Sequence, residues 1–271
     1  MIHIAILDFM KGHRVAQNVE SILQQNTNFS FKISIIDNSC NNGNAKILQD
    51  IIKKYPQVTL SINKENNGYT QAYNQAFKKS DSKYFMILNP DIHWRDPQAL
   101  QTLYDFLESN TDVGIVGPKQ ITHNGRIEMT VRDFPNIFIQ IARRTFFRNW
   151  PIIKQKVYND EMAYINYDLV QNVPWIQSSC MIIKKSLWQD IGGFNEDYFL
   201  FMSDTEICLK AWERKSRVVY VPTAIVEADG VRLSRGGFSS FFTNKAVRIH
   251  FLDSVKYMKR HIFSKKPIIT Q

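Results

Sequence analysis

Cysteine is scarce in this 271-residue chain, and its three copies, Cys40, Cys180 and Cys208, stand far apart, with no CxxC pair and no histidine at metal-ligand spacing. That excludes a disulfide framework and a thiolate zinc site, and leaves three reduced packing residues. Glycine-rich phosphate loops are missing as well. The sequence has no GxGxxG, no GxxxxGK[ST] and no GxSxG, which argues against a dinucleotide dehydrogenase, a P-loop enzyme and an α/β-hydrolase. No apolar run is long enough to cross a bilayer, and the first residues lack the basic start and apolar middle of a signal peptide, so a cytoplasmic location is expected.

Acidic charge is the minority sign: 34 Lys and Arg face 25 Asp and Glu, for a net charge of +9. An anionic partner follows, and a nucleotide sugar, a nucleic acid and a membrane surface all qualify. The remaining composition, 44% hydrophobic and 22% charged, is ordinary for a globular chain long enough for one large domain or two lobes sharing a sheet.

What is present is a repeating alternation. Apolar runs at Ile2 to Leu7, Phe31 to Ile36, Val58 to Ile62, Tyr84 to Leu88 and Val113 to Val116 are separated by segments with helical spacing, such as Val15 to Leu23 and Ala45 to Ile52. Strand and helix in turn predict an α/β fold with a parallel sheet and right-handed crossovers, the first half stopping near Pro118. In such sheets the polar residues at the carboxyl ends of strands face the ligand crevice.

Three acids stand out by position. Asp37 ends the second run, where it is either a nucleoside contact or an Asx-turn before Asn41-Asn42-Gly43. Asp91, in Asn89-Pro90-Asp91 after the fully apolar YFMIL run, is either a ligand for a cation bridging a diphosphate or a solvent-facing turn residue. Asp204 follows Phe-Leu-Phe-Met and precedes an apolar-periodic segment; it is either a helix cap or a general base at a rigid helix end, beside Trp175 and the Gly192-Gly193-Phe194 turn.

These stretches also carry a resemblance. IDNSCNNGN (36 to 44), NNGYTQAYN (66 to 74), ILNPD (87 to 91) and the 175 to 209 stretch, in that order, resemble the motifs of family 2 glycosyltransferases of GT-A fold. TVRDFPNIF (130 to 138), VRLSRGGF (231 to 238) and RIHFLDSVKYMKR (248 to 260) resemble the branch containing bacterial rhamnosyltransferases of surface-polysaccharide (O-antigen type) assembly. The resemblance implies a Rossmann-like nucleotide-binding half with a mixed central sheet over 1–118, an acceptor-binding and catalytic half over 119–235, and a basic helical tail over 236–271.

It further implies that Asp37 reads the base, that Asn67, Gly68, Asn74 and Asn89 shape the nucleotide pocket, and that Asp91 holds Mg²⁺ or Mn²⁺. Asp204 becomes the general base, and Trp175, Glu206 and Arg132 fall on the acceptor side. The implied reaction is an inverting transfer of L-rhamnose from dTDP-L-rhamnose to a lipid-linked or lipopolysaccharide glycan. A UDP- or GDP-hexose donor, or a non-catalytic nucleotide-sugar-binding role, is the alternative. The chain departs from the family in reading Ser203-Asp204-Thr205-Glu206 where Glu-Asp-X-Asp is usual, in having Ser178 or Ser179 for a glycine, and in having Glu227 or Ala228 for a histidine.

Two basic, aromatic segments complete the picture. One runs from Asp133 to Tyr158, with Arg143, Arg144, Arg148, Lys154 and Lys156. The other follows Phe238, with Phe241, Phe242, Lys245, Arg248, Phe251, Lys256, Tyr257, Lys259 and Arg260. Each fits either a lipid interface or an ordinary helix with a basic outer face. Together they favour an anionic membrane surface at the inner face of the cytoplasmic membrane over nucleic acid, for which no recognised motif is present.

Overall fold

The computed structural model describes residues 1–136, 139, 142, 149–230 and 243–269. Ile137, Phe138, Arg143, Arg144, Arg148, Phe241, Phe242 and the 231–238 motif lie outside the described residues.

The first half alternates as its apolar spacing predicts: β1 (Ile2–Asp8), α1 (Gly12–Leu23), β2 (Phe31–Asp37), α2 (Asn42–Lys54), β3 (Val58–Ile62), α3 (Gly68–Lys78) and β4 (Tyr84–Leu88). A short β5 (Ile92–His93), α4 (Ala99–Ser109) and β6 (Val113–Ile121) follow. Then come β7 (Val131–Arg132), α5 (Pro151–Asp160), β8 (Gln171–Asn172), β9 (Trp175–Ile176), β10 (Cys180–Lys184), α6 (Lys185–Ile191), α7 (Ser203–Glu213), β11 (Arg217–Ala228) and α8 (Lys245–His261).

Among the described residues the main sheet runs β3-β2-β1-β4-β10-β6-β11-β5, with β8 on β11, and β7 pairs β9 apart from it. β1 to β4 are parallel. β10 is antiparallel to both β4 and β6, so β4 is parallel on one edge and antiparallel on the other. Its Cys-Met-Ile-Ile run is buried, as an interior strand covered on both faces must be. The boundary expected near Pro118 falls inside β6, whose Pro118 pairs with Val221 of β11. The two halves therefore share one sheet.

The parallel register decides where polar side chains emerge. Asp8 lies opposite Asp37, and Ile6 opposite Leu88, so Asp8, Asp37 and the Asn89 to Asp91 turn all leave the same sheet edge.

One apolar cluster gathers α1, α2 and α4 on one face of the sheet, and another gathers α3, α6 and α7 on the other. A small third cluster of Phe134, Tyr198, Met202, Leu209 and Tyr257 fastens α8 to α7. Burying a large apolar side chain contributes roughly 1.5–3 kcal/mol, so Tyr257 alone is a firm tie. Cys180 and Cys208 are core residues as expected, whereas Cys40 is exposed, its thiol lying near the Asn38 (3.7 Å) and Asn63 (3.9 Å) carbonyls.

Candidate active site

At the ends of β1 and β2 the carboxylates interlock. Asp37 is fully buried: Oδ1 accepts from the Ser39 backbone N–H (2.8 Å) and the Asn44 amide (3.4 Å), while Oδ2 is buried without a hydrogen-bond partner. One oxygen makes the Asx-type turn and the other is left for a donor. Asp8, which the sequence reading did not single out, accepts from Lys11 N–H (2.9 Å), Asn44 (2.6 Å) and Ser39 (3.1 Å). Burial pushes its carboxyl above the usual range despite these donors.

At the end of β4 the Asn89 N–H donates to the Ser179 carbonyl (2.8 Å), tying this turn to the loop before β10. Asp91 Oδ1 is buried with no hydrogen-bond partner. Burial raises its carboxyl, Lys11 pulls it down and neighbouring Asp229 pushes it up again. Asp229, just past β11 and next to Ala228, brings a second carboxylate beside Asp91, and it also pairs with Arg14 of α1. Glu227 is engaged elsewhere, by Arg95 (2.8 Å) and His123 (3.6 Å).

An orphaned, buried carboxylate oxygen beside a second carboxylate suits a divalent cation whose other ligands are waters and phosphate oxygens. Among the described residues no group of three His, Cys, Asp or Glu is assembled for an all-protein site. A cavity of about 580 Å³, lined by Arg14, Asn18, Asp91, Arg95 and Asp229 among others, opens at this pair.

α3 enters through Gly68. Its φ of +81° is one that L side chains rarely adopt, and a Cβ there would lie 2.6 Å from the Phe199 carbonyl. That carbonyl accepts from Tyr69 N–H (2.7 Å), so the close approach that Gly68 permits is made by the protein's own backbone. Asn67, half-buried, precedes the helix without a side-chain cap bond. Asn74 donates to the Phe194 carbonyl (2.8 Å) and Glu196 (2.9 Å) and accepts from Phe194 N–H (3.0 Å). Its amide is filled by protein groups, so whatever shape it lends a pocket passes through the Gly-Gly-Phe turn.

Asp204 occupies the first turn of α7, yet it is not the cap. Met202 holds that position at φ 68°, and no side chain caps the helix. The Asp204 carboxylate accepts from Thr205 N–H (2.9 Å) and Ser178 N–H (3.4 Å), and burial raises it above the usual carboxylate range. Tyr69 donates to Ser178 Oγ (2.8 Å) and packs edge-on against Tyr73 at 4.6 Å, and Tyr73 donates to the Leu88 carbonyl (3.1 Å) at the tip of β4. Burial pushes both phenols up; the charge of Asp204 adds to this for Tyr69, and that of Asp91 for Tyr73. Asp204 thus shares Ser178 with one end of a buried tyrosine pair, and the other end reaches the Leu88 carbonyl, three residues before Asp91.

The acceptor-side residues divide. Arg132 and Trp175 are direct cross-strand partners. The Trp175 indole donates to the Asp133 carbonyl (2.8 Å), and buried Arg132 donates to the Val131 carbonyl (2.7 Å). Glu206 points elsewhere: it is buried, ion-paired with Lys210 (3.0 Å) and Arg260 (3.7 Å), and 3.7 Å from the His261 ring, whose burial favours the neutral form. Burial alone would raise its carboxyl, but Tyr198, Lys210 and Asn195 outweigh that and hold it below the usual range. Glu206, expected on the acceptor side, is held by these contacts between α7 and α8. Ser179, one of the serines standing for a family glycine, exchanges hydrogen bonds with Gln120 (2.8 and 3.1 Å).

A nucleotide-sized parallel half, a mixed sheet and acids gathered at its carboxyl edge define the GT-A fold. The same fold is seen in a mannosyltransferase from Pyrobaculum calidifontis solved with GDP-Man and Mn²⁺, with a TM-score of 0.64 at 15% identity over 98% of this chain and 65% of that one. GalNAc-T7, solved with UDP, GalNAc and Mn²⁺, gives a TM-score of 0.63 at 13% identity over 84% of this chain and 43% of that one.

The model of glycosyl transferase family 2 matches residues 5–173, and the chain belongs to that family. It is 24% identical over 206 residues to the N-acetylglucosaminyl-diphospho-decaprenol L-rhamnosyltransferase of Mycobacterium tuberculosis, covering 72% of this chain and 65% of that protein. It is 26% identical over 203 residues to the rhamnosyltransferase WbbL of Escherichia coli, covering 72% of this chain and 69% of that protein. The family match contains Asp37 and Asp91 and ends before Asp204.

Proposed function

We propose that the chain is an inverting glycosyltransferase that moves L-rhamnose from dTDP-L-rhamnose to a lipid-linked or lipopolysaccharide glycan. The observation that carries this reading is the chain of contacts from Asp204 through Ser178, Tyr69 and Tyr73 to the Leu88 carbonyl, at the end of the strand that leads into Asp91. One acid suits the departing diphosphate and the other the incoming hydroxyl.

Asp204 takes the proton of the acceptor hydroxyl. Its raised carboxyl makes it a stronger base than an exposed aspartate, closer to the pH at which it works. Ser178 N–H and Thr205 N–H hold the carboxylate while it does so. Attack on the anomeric carbon from the side opposite the diphosphate inverts its configuration in one displacement, so no covalent nucleophile is needed. Asp91, with Asp229, would hold Mg²⁺ or Mn²⁺. Such an ion, when bound, neutralises the charge that develops on the leaving diphosphate. The unpartnered Oδ2 of Asp37 accepts an N–H of the base, and Asn67 and Asn89 edge the same pocket. Arg132 and Trp175 face the acceptor.

In this reading residues 1–118 serve the donor, 119–235 the acceptor, and 236–271 the membrane that carries it. The chain spans 65% of the length of its mycobacterial relative, so its acceptor is a proposal on its own chemistry. A UDP- or GDP-hexose is the second donor reading, favoured by the GDP-Man and UDP held by the structural neighbours.

Purified protein given dTDP-L-rhamnose, Mn²⁺ and an N-acetylglucosaminyl-diphospho-lipid tests all of this. Asp204→Asn is expected to cut turnover by about 10²–10⁴ while dTDP binding persists. Turnover near wild type would remove Asp204 from the mechanism. A thermal-shift panel in which UDP or GDP stabilises more than dTDP would move the reading to a hexose donor, and neither transfer nor donor hydrolysis with any of them would leave a binding module.

A further inference from the structure

The C-terminal helix reaches into the machinery from outside the sheet. Asp253, in the middle of α8, is 1% exposed. Its carboxylate accepts three consecutive backbone N–H groups, from Phe199 (3.2 Å), Leu200 (3.0 Å) and Phe201 (3.0 Å). Charge-assisted bonds of this kind are roughly twice as strong as neutral ones.

The same loop is gripped from its other side. The Phe199 carbonyl accepts from Tyr69 N–H over Gly68, and Thr70 donates to the Tyr198 carbonyl (2.6 Å). The chain then turns through Met202 in the left-handed region and starts α7 at Ser203, which presents Asp204 to Ser178. A left-handed non-glycine residue persists only where its surroundings over-determine it. Here the amides just before Met202 are aimed by Asp253, so the direction in which α7 begins is set from α8. Glu206, ion-paired with Arg260 of α8 and Lys210 of α7, joins the same two helices further along both.

We infer that Asp253 is a positioning residue for Asp204, acting through the 199–202 loop, and that α8 is part of the active site. The inference rests on the reading of Asp204 as the base. A cluster that merely held α8 in place would leave the chemistry of the folded protein unchanged; a positioning residue alters kcat selectively and only while Asp204 is present.

The test is a double-mutant cycle in the full chain, assayed with whichever dTDP-, UDP- or GDP-sugar supports turnover, with nucleotide diphosphate affinity as the check on folding. Asp253→Ala is expected to lower kcat at least about 30-fold with donor KM within threefold, and to cost nothing further in the Asp204→Asn background. Asp253→Asn, which keeps one acceptor oxygen, gives a smaller loss of the same kind and carries the test if the alanine variant does not fold. Faster amide exchange at residues 199–201 accompanies both. A slow Asp204→Asn enzyme together with an Asp253→Asn enzyme of unchanged kcat overturns the role of Asp253 alone, as does a loss that multiplies with that of Asp204→Asn. Near-wild-type turnover of Asp204→Asn overturns the base assignment and this role with it.

Discussion

Asp204 shows how one residue is set against the stability of its fold. Its carboxyl titrates higher in the folded protein than in the unfolded chain because burial disfavours the charge. Between those two values the folded state binds more protons, so stability falls as pH rises through the window, and above it the ionised group carries a fixed cost. Asp204→Asn removes that cost. At pH 7 the variant is expected to melt about 2 °C higher than wild type while losing transfer, and scanning calorimetry checks it; a lower midpoint would make the carboxylate structural. The acidic limb of wild-type activity should correspondingly lie above the roughly 3.9 of an exposed aspartate. Asp37, Asp91 and Asp204 were legible in the sequence because each ends an apolar run. Asp8, Asp229 and Asp253 were not, since what gives each its role lies about 30 or more positions away: Ser39 and Asn44, Asp91, and the 199–201 amides.

Among the elements, those of the first half were readable and the two-residue strands were not; β11, the longest strand, also lies outside the alternation that the apolar runs marked. Five parallel strands and their helices announce themselves through buried apolar spacing, whereas β5, β7, β8 and β9 have two residues each and no period to detect. The antiparallel entry of β10 is equally hidden, because an apolar strand buried on both faces has the same sequence in either direction. The helix pairing at Glu206 was not readable either, because its partners Arg260 and His261 lie on α8, more than 50 positions further along the chain. Glu206→Gln leaves Lys210, Arg260 and His261 around a neutral group. A loss of about 1–2 kcal/mol is expected, below the usual value for breaking a buried pair because Lys210 and Arg260 reach solvent. Thermal unfolding should register it as a drop of about 2–8 °C with acceptor KM unchanged. A tenfold rise in that KM at an unchanged midpoint would return Glu206 to the acceptor side.

At the scale of the whole molecule, charge and apolar surface coincide. The chain carries +9, and α5, α8 and the tail include several exposed apolar side chains: Ile152 is 74% exposed, Phe263 95% and Ile268 88%, and Phe251, Leu252 and Ile262 are exposed too. Composition left these segments open between a lipid interface and an ordinary basic helix, and it did not say which aromatics face outward. Phe134 and Tyr257 turn into the core and Phe251 turns out. Among the described residues no helix is long and apolar enough to cross a membrane; the membrane contact proposed above would come from side chains inserted at the headgroup level and cations on anionic lipid. Vesicles rich in anionic lipid are therefore expected to sediment the protein at about 50 mM salt and to release most of it at about 500 mM, where the screening length falls to a few ångströms. Replacing Ile262 and Phe263 together with serine removes the deepest apolar contacts while leaving the charge intact. It should weaken binding about tenfold at low salt, because two buried apolar side chains contribute more than the 1.4 kcal/mol that factor represents. Equal binding to neutral vesicles, or retention at high salt, would show that the basic surface serves some other anion.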